Sequence, residues 1–153
     1  MKIRPAIVPD VAHIHALIKE HASQGELLPR PVSELYEKVQ DFVVMEDKKR
    51  IIACGGLHVS WEDLAEVRSL IVSPHYQRKG IGAKIVTALE GRAKKLKVRR
   101  VFALSFKPQF FKKLKYKKID RSTLPHKVWN VCIKCPLFPN CGETALMKKL
   151  SAR

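Results

Sequence analysis

The stretch that most restricts this chain is Leu64–Leu96, "LAEVRSLIVSPHYQRKGIGAKIVTALEGRAKKL". It reads as an apolar strand, a short turn at Ser73-Pro74, a basic glycine loop and an amphipathic helix. Ile81, Ile85, Leu89 and Ala93 recur at helical spacing with Val86 and Leu96 beside them, while Lys84, Glu90, Arg92 and Lys95 face outward. "RRVFALSF" follows as a strand parallel to Leu64–Val72, joined by the helical crossover that parallel pairing requires.

Between strand and helix lies "QRKGIG", Gln77 to Gly82. Glycines separated by one residue let the backbone approach a ligand closely. The first turn of the helix leaves N–H groups without intrahelical acceptors, backed by the positive end of the helix dipole. With Arg78 and Lys79, these features make a site for phosphate oxygens. The spacing is neither that of a Walker loop nor the three-glycine dinucleotide fingerprint. A basic strand-to-helix turn whose glycines serve only geometry is the competing reading.

Earlier in the chain, Lys2-Ile3-Arg4 forms a short first strand stopped by Pro5. "VPDVAHIHALIKEHAS" is a helix with Pro9 and Asp10 in its first turn and Val11, Ile14, Leu17 and Ile18 as its apolar stripe. His13, His15 and His21 read as surface histidines. After the loop "GELLPRP", Ser33 caps a short helix that turns Leu35, Tyr36 and Val39 inward. "DFVVMED" and "RIIACGGLHVS" form a hairpin about Asp47-Lys48-Lys49, and Trp61-Glu62-Asp63 leads into the Leu64–Val72 strand. Beyond the parallel strand come a helix "PQFFKKL", a strand "YKKID" and a last strand "ETALMKKL". A Cys/Pro-rich insertion around 121–142 separates those two strands.

The 153 residues fit one domain with a real core. No apolar run reaches the length of a membrane span, and no apolar stretch follows the charged N-terminus as in a signal peptide. Three of the four cysteines crowd into 132–141, unlike a secreted disulfide framework, so the expected location is cytoplasmic. The net charge of +16 admits nucleic acid, an anionic membrane or small anionic ligands as partners. Charge alone does not choose among them.

The loop, the strand "VRSLIV", the following proline and the helix beyond resemble the pyrophosphate-binding region of the Gcn5-related N-acetyltransferases (GNAT), with its pattern Gln/Arg-x-x-Gly-x-Gly/Ala. "GELLPRP…ELYEKVQDFVV", "CGGLHVSWEDLAEVRSLIV" and "LPHKVWNVCIKCPLFPNC" are similar to the short, single-domain amino-acid N-acetyltransferases, or N-acetylglutamate synthases. The resemblance implies a single α/β (α+β) domain over 1–153. Its central sheet is mixed and mostly antiparallel, with a parallel strand pair splayed at the acetyl-CoA site and about four flanking helices. It implies transfer of acetyl from acetyl-CoA to the α-amino group of glutamate, the first step of arginine biosynthesis.

The same resemblance implies roles for individual residues. Leu70, Ile71, Val72, Gln77, Arg78, Lys79, Gly80, Ile81, Gly82 and Ala83 would hold the coenzyme, with a backbone N–H of Leu70–Val72 receiving the developing oxyanion. Glu66 matches the family's carboxylate base, acting through water; a salt bridge with Arg68 is its structural alternative. The family's tyrosine acid is replaced here by Phe111, and a serine used by longer glutamate synthases falls near Pro108. Ser105 and Tyr116 are the neighbouring candidates. Lys115 stands where the family usually has glycine. Arg30 matches the position contacting the amino acid and Leu28 the one lining its pocket, with Arg68 and Lys127 as further cations for carboxylates.

Cys132, Cys135 and Cys141, with His126 or Cys54, offer a set for a structural zinc, while reduced cysteines in a tight loop explain them equally. Cys54 itself reads as core packing. Expected partners are a small amino-acid substrate and, in assembly, a second copy as homodimer; membrane is not expected and nucleic acid ranks lower. A protein or polyamine acetyltransferase would gather Asp and Glu around the acceptor, where this chain supplies Arg and Lys. A basic RNA-associated protein with a degenerate acetyltransferase fold would interleave aromatics with its charge; Phe110, Phe111 and Tyr116 lie among lysines at spacings that suit packing.

Overall fold

The hairpin read about Asp47 closes as expected. β2 (Phe42–Asp47) and β3 (Arg50–Trp61) pair antiparallel, with Asp47 opposite Arg50. The two residues between them, Lys48 and Lys49, both take positive φ, 50° and 66°. That geometry matches the right-handed strand twist, although lysine holds it less readily than Asn-Gly would. β1 (Lys2–Pro5) pairs with β2 on its other side.

In this computed structural model, residues 1–23, 31–124 and 143–150 are described. Among them, a seven-stranded sheet runs in the order β1-β2-β3-β4-β5-β7-β6, with β4 (Leu64–Val72), β5 (Arg100–Ser105), β6 (Lys117–Lys118) and β7 (Thr144–Lys149) completing it. The sheet is mixed, and β4 with β5 is its parallel pair. Four α-helices accompany it among the described residues: α1 (Val11–Ser23), α2 (Val32–Glu37), α3 (Ile81–Lys95) and α4 (Pro108–Lys113).

The chain divides into two compact units, Met1–Leu57 with Val67–Arg92, and His58–Glu66 with Ala93–Arg153. In the first, the expected stripe of α1, Val11, Ile14, Leu17 and Ile18, is buried together with Leu35, Phe42, Val44, Cys54 and Ile71. Cys54 is core packing, its Sγ 3.5 Å from the Ser69 carbonyl oxygen. Gly55 lets α3 lie on β3: a Cβ there would meet Ile85 Cγ2 at 2.6 Å. In the second unit, Leu64, Phe102 and Leu124 form a core with Leu104, Ile119 and Met147 against it.

Several local expectations fail for identifiable reasons. His21 is buried at the end of α1, its Nδ1 3.0 Å from the Leu17 carbonyl oxygen, so it is not a surface histidine. Ser33 does not cap α2; Pro31 occupies the cap without a side-chain bond, and Tyr36 is exposed rather than inward. Arg92 is only half-exposed, because its guanidinium donates to the carbonyls of Gln40 and Asp41. Leu96 lies past the end of α3 and is exposed, followed by Lys97 at φ 66°. "YKKID" contributes only a two-residue edge strand.

Candidate functional site

β4 is not a uniform strand. Ser69, buried in its middle, has φ 53°, a left-handed conformation that few serines adopt. The parallel register with β5 runs from Leu64–Arg100 to Glu66–Phe102, whereas β4 continues to Val72. Leu70, Ile71 and Val72 therefore follow a kink in the backbone. Ser73 N–H then donates to the Ile52 carbonyl at 2.8 Å, fixing the strand's end against β3. No letter in "VRSLIV" announces this kink, since serine carries no preference for positive φ.

Pro74–Tyr76 makes a 3-10 turn, and the basic loop begins at its C-cap, Gln77. The Gln77 amide donates from Nε2 to the Val72 carbonyl at 2.9 Å, so this side chain braces the strand end rather than reaching outward. Arg78 has φ 63° and Gly80 φ 80°. Nothing lies within 4 Å of where a Gly80 Cβ would be, so glycine is required there by its backbone angle and not by crowding. Gly82 is not among the positive-φ residues; its small size, inside the first turn of α3, is what a close ligand would exploit.

The loop brings backbone donors and cations together at the start of α3. The first α3 amide that finds a backbone acceptor among the described residues is that of Lys84, donating to Gly80 O at 3.2 Å. The amides ahead of it are the unsatisfied donors expected at a helix start. Arg78, Lys79 and Gly80 are exposed, and the first turn of α3 carries no acidic residue to compete with an anion. The Lys79 ammonium stands over the Tyr76 ring, 5.6 Å from its centroid.

Glu66 is buried on β4, at 7% exposure, and Arg68 is half-buried two residues on. Ser105, at the end of β5, accepts from the Lys107 N–H through Oγ at 2.9 Å, and its own proton has no acceptor among the described residues. Tyr116 is only 2% exposed, with Phe111 edge-on at 5.2 Å and the Lys148 ammonium over its ring. Pro108 opens α4 and Phe111 is buried in it. Lys115 adopts φ 77°, the angle for which glycine is the usual choice. Leu28, Arg30, His126, Lys127, Cys132, Cys135 and Cys141 lie outside the described residues. Among the described residues no group of His, Cys, Asp and Glu could hold a metal ion.

Two polar links were not legible as such. Arg4 pairs with both oxygens of Asp10, at 2.7 and 3.0 Å, while the Ile7 N–H donates to Asp10 at 2.8 Å. Asp10 thus closes the start of α1 onto β1, and the Arg4 guanidinium holds its carboxyl below the usual range. The Tyr76 hydroxyl donates to Asp47 Oδ2 at 2.9 Å across a separation of 29 residues. Either was discoverable only as charge or hydroxyl in a turn, with no signal for its partner.

Comparison with known proteins identifies the family. Residues 9–114 match the model of the acetyltransferase (GNAT) family. An uncharacterized N-acetyltransferase from Chlorobaculum tepidum is 34% identical over 148 residues, spanning 97% of this chain and 96% of that one. An amino-acid acetyltransferase from Mycobacterium tuberculosis is 35% identical over 131 residues, 84% of this chain and 75% of the relative. Among solved structures, a Mycobacterium tuberculosis protein in complex with CoA and NLQ superposes with a TM-score of 0.85 at 30% identity, covering 98% and 99% of the two chains. N-acetylglutamate synthase from Neisseria gonorrhoeae, complexed with coenzyme A and N-acetyl-glutamate, gives 0.86 at 25% identity; this chain spans 35% of its length. A mixed sheet with one parallel pair, a glycine loop opening onto α3 and a family match across both place the chain in the acetyltransferase (GNAT) family, as an acetyl-CoA-dependent N-acetyltransferase.

Proposed function

We propose that this protein transfers acetyl from acetyl-CoA to the α-amino group of an amino acid, with L-glutamate as acceptor, and so acts as an N-acetylglutamate synthase in arginine biosynthesis. The observation that carries the reading is the loop itself: a helix start with no acidic residue in its first turn, Gly80 at φ 80° and the exposed cations Arg78 and Lys79 beside it. The amino-acid acceptor is supported by the relatives called amino-acid acetyltransferases and by the neighbour holding coenzyme A with N-acetyl-glutamate. The working unit is the single domain over 1–153, acting in the cytoplasm.

Acetyl-CoA supplies an activated acyl group. Residues of this chain then have four tasks. Glu66 takes a proton from the acceptor ammonium, directly or through water, so that a neutral amine attacks. An amide of Leu70–Val72, turned out of the regular pleat after Ser69, donates to the carbonyl oxygen as negative charge develops there. Ser105, whose hydroxyl proton has no acceptor among the described residues, suits protonation of the leaving thiolate better than the enclosed Tyr116. Arg30, Arg68 and Lys127 supply cations for the acceptor's carboxylates, with Leu28 lining its pocket.

A thiol-release assay with acetyl-CoA and each amino acid in turn tests the reading. Turnover is expected with glutamate and with few others. Release driven by a polyamine or a lysine-rich peptide, with none from any amino acid, overturns the acceptor assignment.

A further inference from the structure

Neither the glycines nor the cations explain what keeps the loop in shape. Arg78 holds φ 63° without the freedom of glycine, and Gly80 has the largest conformational choice of any residue. Left to itself, such a segment would sample many arrangements, and only some would aim its amides together. Affinity then falls in proportion to the fraction of time spent in the competent one.

The residue just ahead of the loop is tied down from three directions. Tyr76 N–H donates to Ser73 O at 2.8 Å, closing the 3-10 turn. Its hydroxyl donates to Asp47 Oδ2 at 2.9 Å. The face of its ring carries the Lys79 ammonium at 5.6 Å. Asp47 is itself a fixed point, the last residue of β2, paired opposite Arg50 and followed by the tight Lys48-Lys49 turn. The tie therefore runs from the end of a hairpin, through a phenol, to one of the loop's two cations.

We propose that Asp47 and Tyr76 are positioning residues for acetyl-CoA, acting through the loop to hold its amides and Lys79 ready for the diphosphate. The inference rests on the loop reading above. The Asp47 carboxylate raises the Tyr76 phenol above its usual range, so the hydroxyl remains a donor throughout the neutral and mildly alkaline region. Both side chains are only part-buried and neither belongs to the apolar cores, so a purely structural role would register in stability. A positioning role registers in coenzyme affinity.

The test is calorimetric titration of the full chain with coenzyme A, beside thermal melts and steady-state kinetics. Tyr76→Phe removes the hydroxyl and keeps the ring; Asp47→Ala removes the acceptor; Asp47→Asn keeps an acceptor oxygen. Tyr76→Phe and Asp47→Ala are each expected to raise the Kd by about five-fold, with the double variant no worse than either single. Asp47→Asn should stay within about two-fold, and the KM of the amino-acid acceptor should not move in any of them. Melting-point losses with an unchanged Kd, or additive effects in the double variant, overturn the proposal. Gly82→Leu separates the two levels of inference. If it abolishes coenzyme binding while Tyr76→Phe does nothing, the tie alone is wrong; if it too leaves Kd unchanged, the loop assignment falls and the tie's role with it.

Discussion

Asp10 illustrates how far a single residue's function exceeds its letter. Its place at the start of α1 was readable from the Pro-Asp pair, since acidic residues favour that end of a helix. Its partner Arg4 was not, because nothing in a sequence says which surface cation returns to which turn. Arg4 pulls the Asp10 pKa down, so the pair stabilises the fold fully above the ordinary carboxylate range and loses that contribution as pH falls through the lowered value. Asp10→Asn should therefore destabilise the protein at pH 7 by about 1–3 kcal/mol, and the gap to the unaltered protein should narrow as pH falls through the lowered Asp10 value. Denaturant melts across that range check it; a gap independent of pH would mean that the charge is irrelevant.

Lys115 makes the opposite case. The sequence marks it as an unexpected residue at a turn, and the turn forms nonetheless with Lys115 at φ 77°. An L-residue there is strained, so Lys115→Gly should raise stability by about 1 kcal/mol despite the entropy that glycine brings. A lower melting point for that variant would show that the lysine side chain compensates. Ser69 is the third such residue, and the least legible. Glycine or asparagine would have advertised its left-handed angle; serine does not, so the kink that sets apart Leu70–Val72 emerges only from the fold.

Elements were more legible than their edges. The apolar stripes of α1 and of α3 up to Ala93 were read correctly because burial imposes helical periodicity, and hairpin and parallel strand followed from alternation and crossover length. The ends failed where a backbone carbonyl recruited a side chain that periodicity assigns to solvent, as Arg92 shows on α3. Its removal as Arg92→Ala should lower stability by about 1 kcal/mol, through loss of two bonds that join α3 to the turn preceding β2. Close approach was equally silent. Gly55→Ala would push Ile85 and Leu89 off β3, a loss of about 1–3 kcal/mol that should appear as a lower denaturant midpoint at unchanged slope. A neutral effect there would mean that α3 shifts without penalty.

At the scale of the whole molecule, the excess of 30 Lys and Arg over 14 Asp and Glu suits a polyanionic coenzyme without identifying it. The charge predicts that coenzyme association weakens as salt rises, since exposed cations such as Arg78 and Lys79 are screened. Titrations from low to physiological ionic strength and beyond should show the Kd rising several-fold; a flat response would assign binding to the amides alone. What the sequence offers at this scale is a proposed chemistry, the gripping of a diphosphate, because glycine, cation and helix start are local features. The acceptor was not readable in the same way, since the residues proposed for it, Leu28, Arg30, Arg68 and Lys127, are far apart in the chain.

In the proposed function, the amides between Gln77 and Ala83 anchor the coenzyme. Backbone amide resonances followed by NMR during addition of coenzyme A measure that directly. Large, saturable shifts at Arg78, Lys79, Gly80, Ile81, Gly82 and Ala83 are predicted, lost together in Gly82→Leu. Saturation with those six amides unmoved would contradict it.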